Sequence, residues 1–208
     1  MLKKAAISLF FLSFVCLFLV VIFYLQSPQI LQLYAVHPKE IPYFYTAFTG
    51  VWLHANLEHL LGNLISLISL SAIFLLLFPK KWVHFFTLQY LVSSVLFFFI
   101  APLNSQHVGA SVWVYAFATF ILTILLLQPN KKLMAIFFIT VLFYGGMWWG
   151  LLPLLPHVSY EGHISGSVTG ILLAFILRKD YVKLLPKSKI PDWFHHETEE
   201  KNPYDLID

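Results

Sequence analysis

Long apolar stretches separated by short polar hinges dominate the chain. Six runs stand out: Ala5–Leu25, about Leu60–Phe78, Trp82–Ala101, Val108–Leu127, Leu133–Leu152 and about His163–Leu177. The last is short unless it starts near Val158. A helix needs roughly 20 mainly apolar residues to cross a bilayer's hydrocarbon core, so the pattern predicts six spanning helices. Phe78-Pro79-Lys80-Lys81, Pro102-Leu103-Asn104-Ser105 and Gln128-Pro129-Asn130-Lys131-Lys132 carry the residues of tight connections between antiparallel helices. Gln26–Thr49, with Pro28, Pro38 and Pro42, reads as one longer connecting loop. The first run is about 21 residues long and no small-residue cleavage site follows it, so it reads as a span rather than a removable signal. The expected fold class is all-α: a polytopic membrane bundle over residues 1–182, followed by a polar tail over 183–208.

Composition narrows the function. Of 208 residues, 59% are hydrophobic and 11% charged, against about 25% charged in an ordinary soluble domain. A soluble enzyme, a nucleic-acid binder and a disordered chain are excluded at this point. A single cysteine, Cys16, rules out a disulfide framework or thiolate cluster within the chain. The net charge of +3 matters only through its placement. With the N-terminus in the cytoplasm, every one of the 13 basic residues except Lys39 falls on the cytoplasmic side. Both termini are therefore expected in the cytoplasm. Trp82, Trp148, Trp149 and Tyr160 read as interfacial aromatic belts, and His84, His107, His195 and His196 as solvated.

No Asp, Glu, Lys or Arg lies inside the six runs, which removes the usual signature of ion- or proton-coupled carriers. The informative polar residues are His54, His59 and Asn63 at the second span, Ser111 in the fourth and His163 opening the sixth. These three spans run in the same direction, so the groups share one depth near the outer face. His59 and Asn63 are four apart and share a helix face, as do Ser111 and Tyr115. His163, Gly166 and Gly170 form another face, on which glycines would admit a close neighbour. If that neighbour is the fourth span, Ser111 and His163 come within hydrogen-bonding reach. Serine needs a base to become a nucleophile, and neutral histidine can serve. His59 and Asn63 are donors suited to an oxyanion. Glu161 is a poor third member, because i and i+2 point to different sides of a helix. Taken singly, each residue has a blander reading. A serine in a membrane helix ordinarily bonds its own backbone, and paired glycines ordinarily serve packing.

His54-Ala55-Asn56-Leu57-Glu58-His59-Leu60-Leu61-Gly62-Asn63, then Gly109-Ala110-Ser111 with Tyr115, then His163 with Gly166 and Gly170, together resemble the rhomboid family of intramembrane serine proteases. The resemblance covers nearly the whole chain and implies a rhomboid-like six-span bundle. It implies a Ser111 nucleophile, a His163 base, His59 and Asn63 as oxyanion donors with the Ser111 amide, and Tyr115 stacked on His163. His54 then has a mainly structural role, and Phe48-Thr49 falls where the outer loop re-enters the membrane edge. The implied reaction is cleavage of a transmembrane protein substrate within the lipid bilayer, without cofactor or metal. The family pattern is usually G-x-S-G, and here Val112 follows the serine; the outer loop also shows no clear Trp-Arg pair. Two alternatives are a non-catalytic rhomboid-like protein that binds membrane clients and a zinc hydrolase using His54, His59 and His163. Against the latter, residues five apart on a continuous helix point about 140° from each other.

Overall fold

The computed structural model describes residues 2–128, 131–154 and 158–185; apart from one isolated bridge, the regular structure among them is helical. The α-helices are α1 (Leu2–Leu25), α2 (Pro28–Tyr34), α3 (Thr46–Thr49), α4 (Leu57–Leu77), α5 (Trp82–Ile100), α6 (Ser111–Leu126), α7 (Lys131–Tyr144) and α8 (Tyr160–Val182). Tighter 3-10 turns occur at Ile41–Tyr43, Gly50–Trp52 and Gly145–Leu151. Among the described residues, Ala6–Leu25, Leu57–Leu77, Trp82–Ile100, Leu133–Leu151 and Tyr160–Val182 are long and apolar enough to cross a membrane. Their outward surface is oily: Phe10, Phe14, Ile65, Leu142, Phe143 and Ile176 are all exposed. A soluble protein does not carry so continuous an apolar surface. The molecule is an all-α, multi-pass integral membrane protein.

The exception is α6. Its 16 residues measure about 24 Å, less than the ~30 Å hydrocarbon core. A short helix is tolerated here because protein rather than lipid surrounds it: α4, α5, α7 and α8 all touch it, and 11 of its residues are buried. Aromatic rings pack around it at both ends. Trp113 meets Trp52 at 4.7 Å, Phe86 at 5.1 Å and Tyr90 at 5.7 Å. Toward the other end, Phe120 meets Phe85 at 4.2 Å and Tyr181 at 5.1 Å. Against α8 the contact is closest. A Cβ on Gly166 would fall against the Val112 carbonyl and one on Gly170 against the Ala116 carbonyl. Only glycine lets the α8 backbone lie that near the α6 backbone.

Several elements differ from the hydropathy reading. The segment expected as one long loop contains α2, a 3-10 turn and α3. Ser27 caps α2 by accepting from the Ile30 amide at 3.3 Å, and Pro28 begins it, a favoured pairing of cap and first residue. Helix α4 starts at Leu57 because Asn56 caps it, accepting from the His59 amide at 2.8 Å. Helix α6 starts at Ser111, three residues after the predicted Val108, because Gly109 at φ 122° interrupts the helical path. The fifth run is α7 followed by a 3-10 turn. Helix α8 begins at Tyr160 and so takes in Glu161, which is buried. A carboxylate in a first helical turn is favoured by the helix dipole. Trp82 is not a belt residue. It is 1% exposed, stacked on Phe86 at 4.9 Å, and donates from Nε1 to Ser71 Oγ at 2.8 Å. Trp148 and Trp149 are exposed. The predicted tail is described only as far as Leu185, and His195 and His196 lie outside the described residues.

Candidate active site

The backbone entering α6 is pinned from one side. Val36 and His107 exchange two backbone bonds, at 2.9 and 3.2 Å. The Gly109 amide donates to the Gly50 carbonyl at 3.1 Å, and the Ala110 amide to His54 Nε2 at 3.4 Å. Gly109 sits in the left-handed region, and a Cβ there would lie 2.7 Å from His59 Nε2. Both conditions require glycine. Ser111 then becomes the first residue of α6, where backbone N–H groups have no partner inside the helix.

His163 meets Ser111 across the close α6–α8 contact. Its Nε2 lies 3.0 Å from Ser111 Oγ. Its Nδ1 lies 2.8 Å from the Gly150 carbonyl, which can only accept. The Nδ1 proton is therefore committed to Gly150, leaving the Nε2 lone pair facing the serine hydroxyl. Tyr115 stacks on the imidazole at 4.1 Å with planes 12° apart, and its hydroxyl donates to the Met147 carbonyl at 2.7 Å. The 3-10 turn Gly145–Leu151 thus orients both rings. Gly150 must be glycine, since a Cβ would lie 3.0 Å from His163 Nδ1 and closer still to the Tyr115 hydroxyl.

On the opposite side, α4 brings His59 and Asn63 toward Gly109. Asn63 Nδ2 would be 3.5 Å from a Cβ on that glycine. Asn63 is buried, and its Nδ2 lies 3.0 Å from His54 Nε2. Because His54 Nε2 also receives the Ala110 N–H, it acts as an acceptor, and Asn63 must present its NH₂ rather than its carbonyl. One amide hydrogen is thereby held by His54 and the other is available. The His54 ring packs edge-on against His59 at 5.1 Å. His54 lies before the span and is buried, which pushes its pKa down to about 3, with the His59 ring adding to the effect and the Trp52 carbonyl partly offsetting it. His54 is thus a neutral acceptor. His107, expected to be solvated, is half-buried. It lies 2.7 Å from Ser105 Oγ, and burial lowers its pKa against the opposing pull of Glu161. His84 is exposed but has Nδ1 3.3 Å from the Tyr181 hydroxyl.

Ser111, His163, Tyr115, Gly166 and Gly170 therefore lie at one helix contact, with His59, Asn63, His54 and Gly109 beside it. Glu161 is not the Nδ1 partner of His163; a backbone carbonyl is. Of the three histidines weighed as zinc ligands, two are otherwise engaged, His163 through both nitrogens and His54 through Nε2. Among the described residues no group of three or more candidate metal-ligating side chains converges. Sequence reasoning missed the carbonyls of Met147 and Gly150, and a carbonyl leaves no side-chain trace to find. The glycines of Gly145-Gly146-Met147-Trp148-Trp149-Gly150 were the only available signal.

Residues 42–180 match the Rhomboid domain. Uncharacterized proteins of Mycobacterium bovis and Mycobacterium tuberculosis are 28% identical over 143 residues, covering 62% of this chain and 60% of theirs. One of Mycobacterium leprae is 28% identical over 134 residues, covering 60% of this chain and 53% of its own. The chain thus spans about 60% or less of the length of these relatives.

Proposed function

The chain belongs to the rhomboid family, and from that premise we propose that it is an intramembrane serine endopeptidase working through a Ser111–His163 dyad. The observation that carries this reading is the 3.0 Å approach of Ser111 Oγ to His163 Nε2, with the Nδ1 proton held by the Gly150 carbonyl. As Ser111 Oγ attacks the scissile carbonyl carbon, its proton passes to His163 Nε2. The resulting oxyanion takes hydrogen bonds from His59, Asn63 and the free Ser111 amide at the start of α6, where the helix dipole also favours negative charge. His163 then protonates the leaving amine. Water attacks the Ser111 ester and gives its proton to His163, which returns it to Ser111 Oγ as the C–O bond breaks and the acid product leaves. Tyr115 and Gly150 keep the imidazole in one orientation and one tautomer throughout.

The substrate class is a transmembrane protein cleaved near the outer face. The distribution of basic residues supports that side: the connections at Lys80-Lys81 and Lys131-Lys132 and the region after Arg178 lie opposite the Ser111 end. The same rule favours both termini in the cytoplasm, and the mycobacterial relatives support a bacterial inner membrane. Residues 1–182 form the six-span unit in this reading, with 183–208 as a polar extension.

Labelling with a fluorophosphonate, together with cleavage of a model transmembrane substrate, tests the dyad. Wild type should label and cleave. Ser111→Ala and His163→Ala should each abolish both, and the double variant should be no worse than either single one, because nucleophile and base act as one unit. Folded wild type that neither labels nor cleaves would overturn the protease reading in favour of a client-binding rhomboid-like protein.

A further inference from the structure

Gln26 follows the last residue of α1, and its side chain forms a two-point clamp on the backbone of His54. Its Nε2 donates to the His54 carbonyl at 2.5 Å, and its Oε1 accepts from the His54 amide at 3.2 Å. We propose that Gln26 is a positioning residue for the oxyanion side of the site, acting through His54 on Asn63. The inference rests on the protease reading above.

His54 lies between the 3-10 turn Gly50–Trp52 and α4, in a linker with no helix or sheet to pair its backbone. A buried backbone N–H and C=O must nevertheless find partners. Primary amides can satisfy both at once, because one side chain carries an acceptor and a donor two bonds apart. Gln26 has the reciprocal need, since it lines an otherwise largely apolar cleft with Phe18, Ile22, Ile30 and Leu53. The two unmet requirements answer each other, and the result fixes where the His54 ring can sit. That ring is fully buried, and its Nε2 receives Asn63 Nδ2 at 3.0 Å and the amide of Ala110, the residue before Ser111, at 3.4 Å. A continuous path therefore runs from α1 through Gln26 and His54 to one donor for the oxyanion and to the residue preceding the nucleophile. Gln26 touches no reacting atom. It holds the group that holds the donor.

Gln26→Met keeps the length and loses both bonds; Gln26→Glu keeps the acceptor for the His54 amide and loses the donor. With the full chain and a model transmembrane substrate, Gln26→Met should lower kcat by ~10-fold and leave KM within about twofold, a fraction of the ~10²–10³ lost with a whole oxyanion donor. In an Asn63→Ala background the same substitution should change kcat less than about twofold, because the donor it positions is gone. A merely structural role would cost the same factor in both backgrounds, and that result, or wild-type kcat in Gln26→Met, would overturn the inference. Should Gln26→Met fail to purify folded, Gln26→Glu carries the test: a smaller loss in kcat that also vanishes with Asn63→Ala supports it, and an equal loss in both backgrounds refutes it. Inactive wild type would sink the protease reading and this inference with it, whereas active wild type with an indifferent Gln26 would sink the inference alone.

Discussion

His54 shows at the scale of one residue how burial becomes pH dependence. Its pKa is about 3 in the folded protein and near 6.5 when exposed. The unfolded chain therefore binds a proton below pH ~6.5 that the folded protein refuses. Stability contributed by the neutral ring is complete above ~6.5 and is lost progressively as the pH falls from ~6.5 toward 3. The slope approaches ~1.4 kcal/mol per pH unit for one fully titrating group. Thermal unfolding in detergent at pH 7, 6 and 5 should show this acid limb in wild type and a flatter one in His54→Gln. Equal slopes in the two proteins would mean that His54 is not the group responsible.

At the scale of elements, the α6–α8 contact governs the site, because Gly166 and Gly170 bring two backbones together and Ser111 and His163 ride on them. Val112 is the position at which this chain departs from the family's usual glycine. Its side chain is 1% exposed and packed in the apolar core, while its carbonyl, not its side chain, faces Gly166. The closest approach to Gly166 is thus made by the backbone of Val112, and its side chain fills part of the core. Val112→Gly should therefore destabilise the protein by about 2–4 kcal/mol, from the emptied volume and the helix propensity of glycine. It should not raise fluorophosphonate labelling of Ser111. Stronger labelling after the substitution would show that the valine had been holding the serine out of line.

For the whole molecule, the proposed orientation rests on the placement of the basic residues. Reporter fusions placed after Lys39 should read as outside, and those after Lys132 as cytoplasmic. A cytoplasmic signal after Lys39 would invert the bundle and put Ser111 near the inner face. The segment between α1 and α4 matters on this scale too. Val36, Gly50 and His54 supply the bonds that pin the backbone entering α6, so the connection is a cradle for the site and not a passive tether.

Hydrophobic runs alone determined the helical, membrane-spanning class, because the bilayer imposes a length on any segment that crosses it. Helical spacing alone put His59 with Asn63 and His163 with its glycines on common faces, because 3.6 residues per turn is a local property. Which faces met was decided only in three dimensions. Trp82 has the composition of an interfacial anchor and lies in the core, since burial depends on neighbours its own segment does not contain. Glu161 fell inside α8 because Ser159 caps the helix earlier than hydropathy marks it. The Gly150 carbonyl that fixes the His163 tautomer, and the Gln26 amide that clamps His54, are separated from their partners by 13 and 28 residues. Hydrogen bonds of that kind follow from backbone paths through space, and no pattern along a chain records where such paths cross.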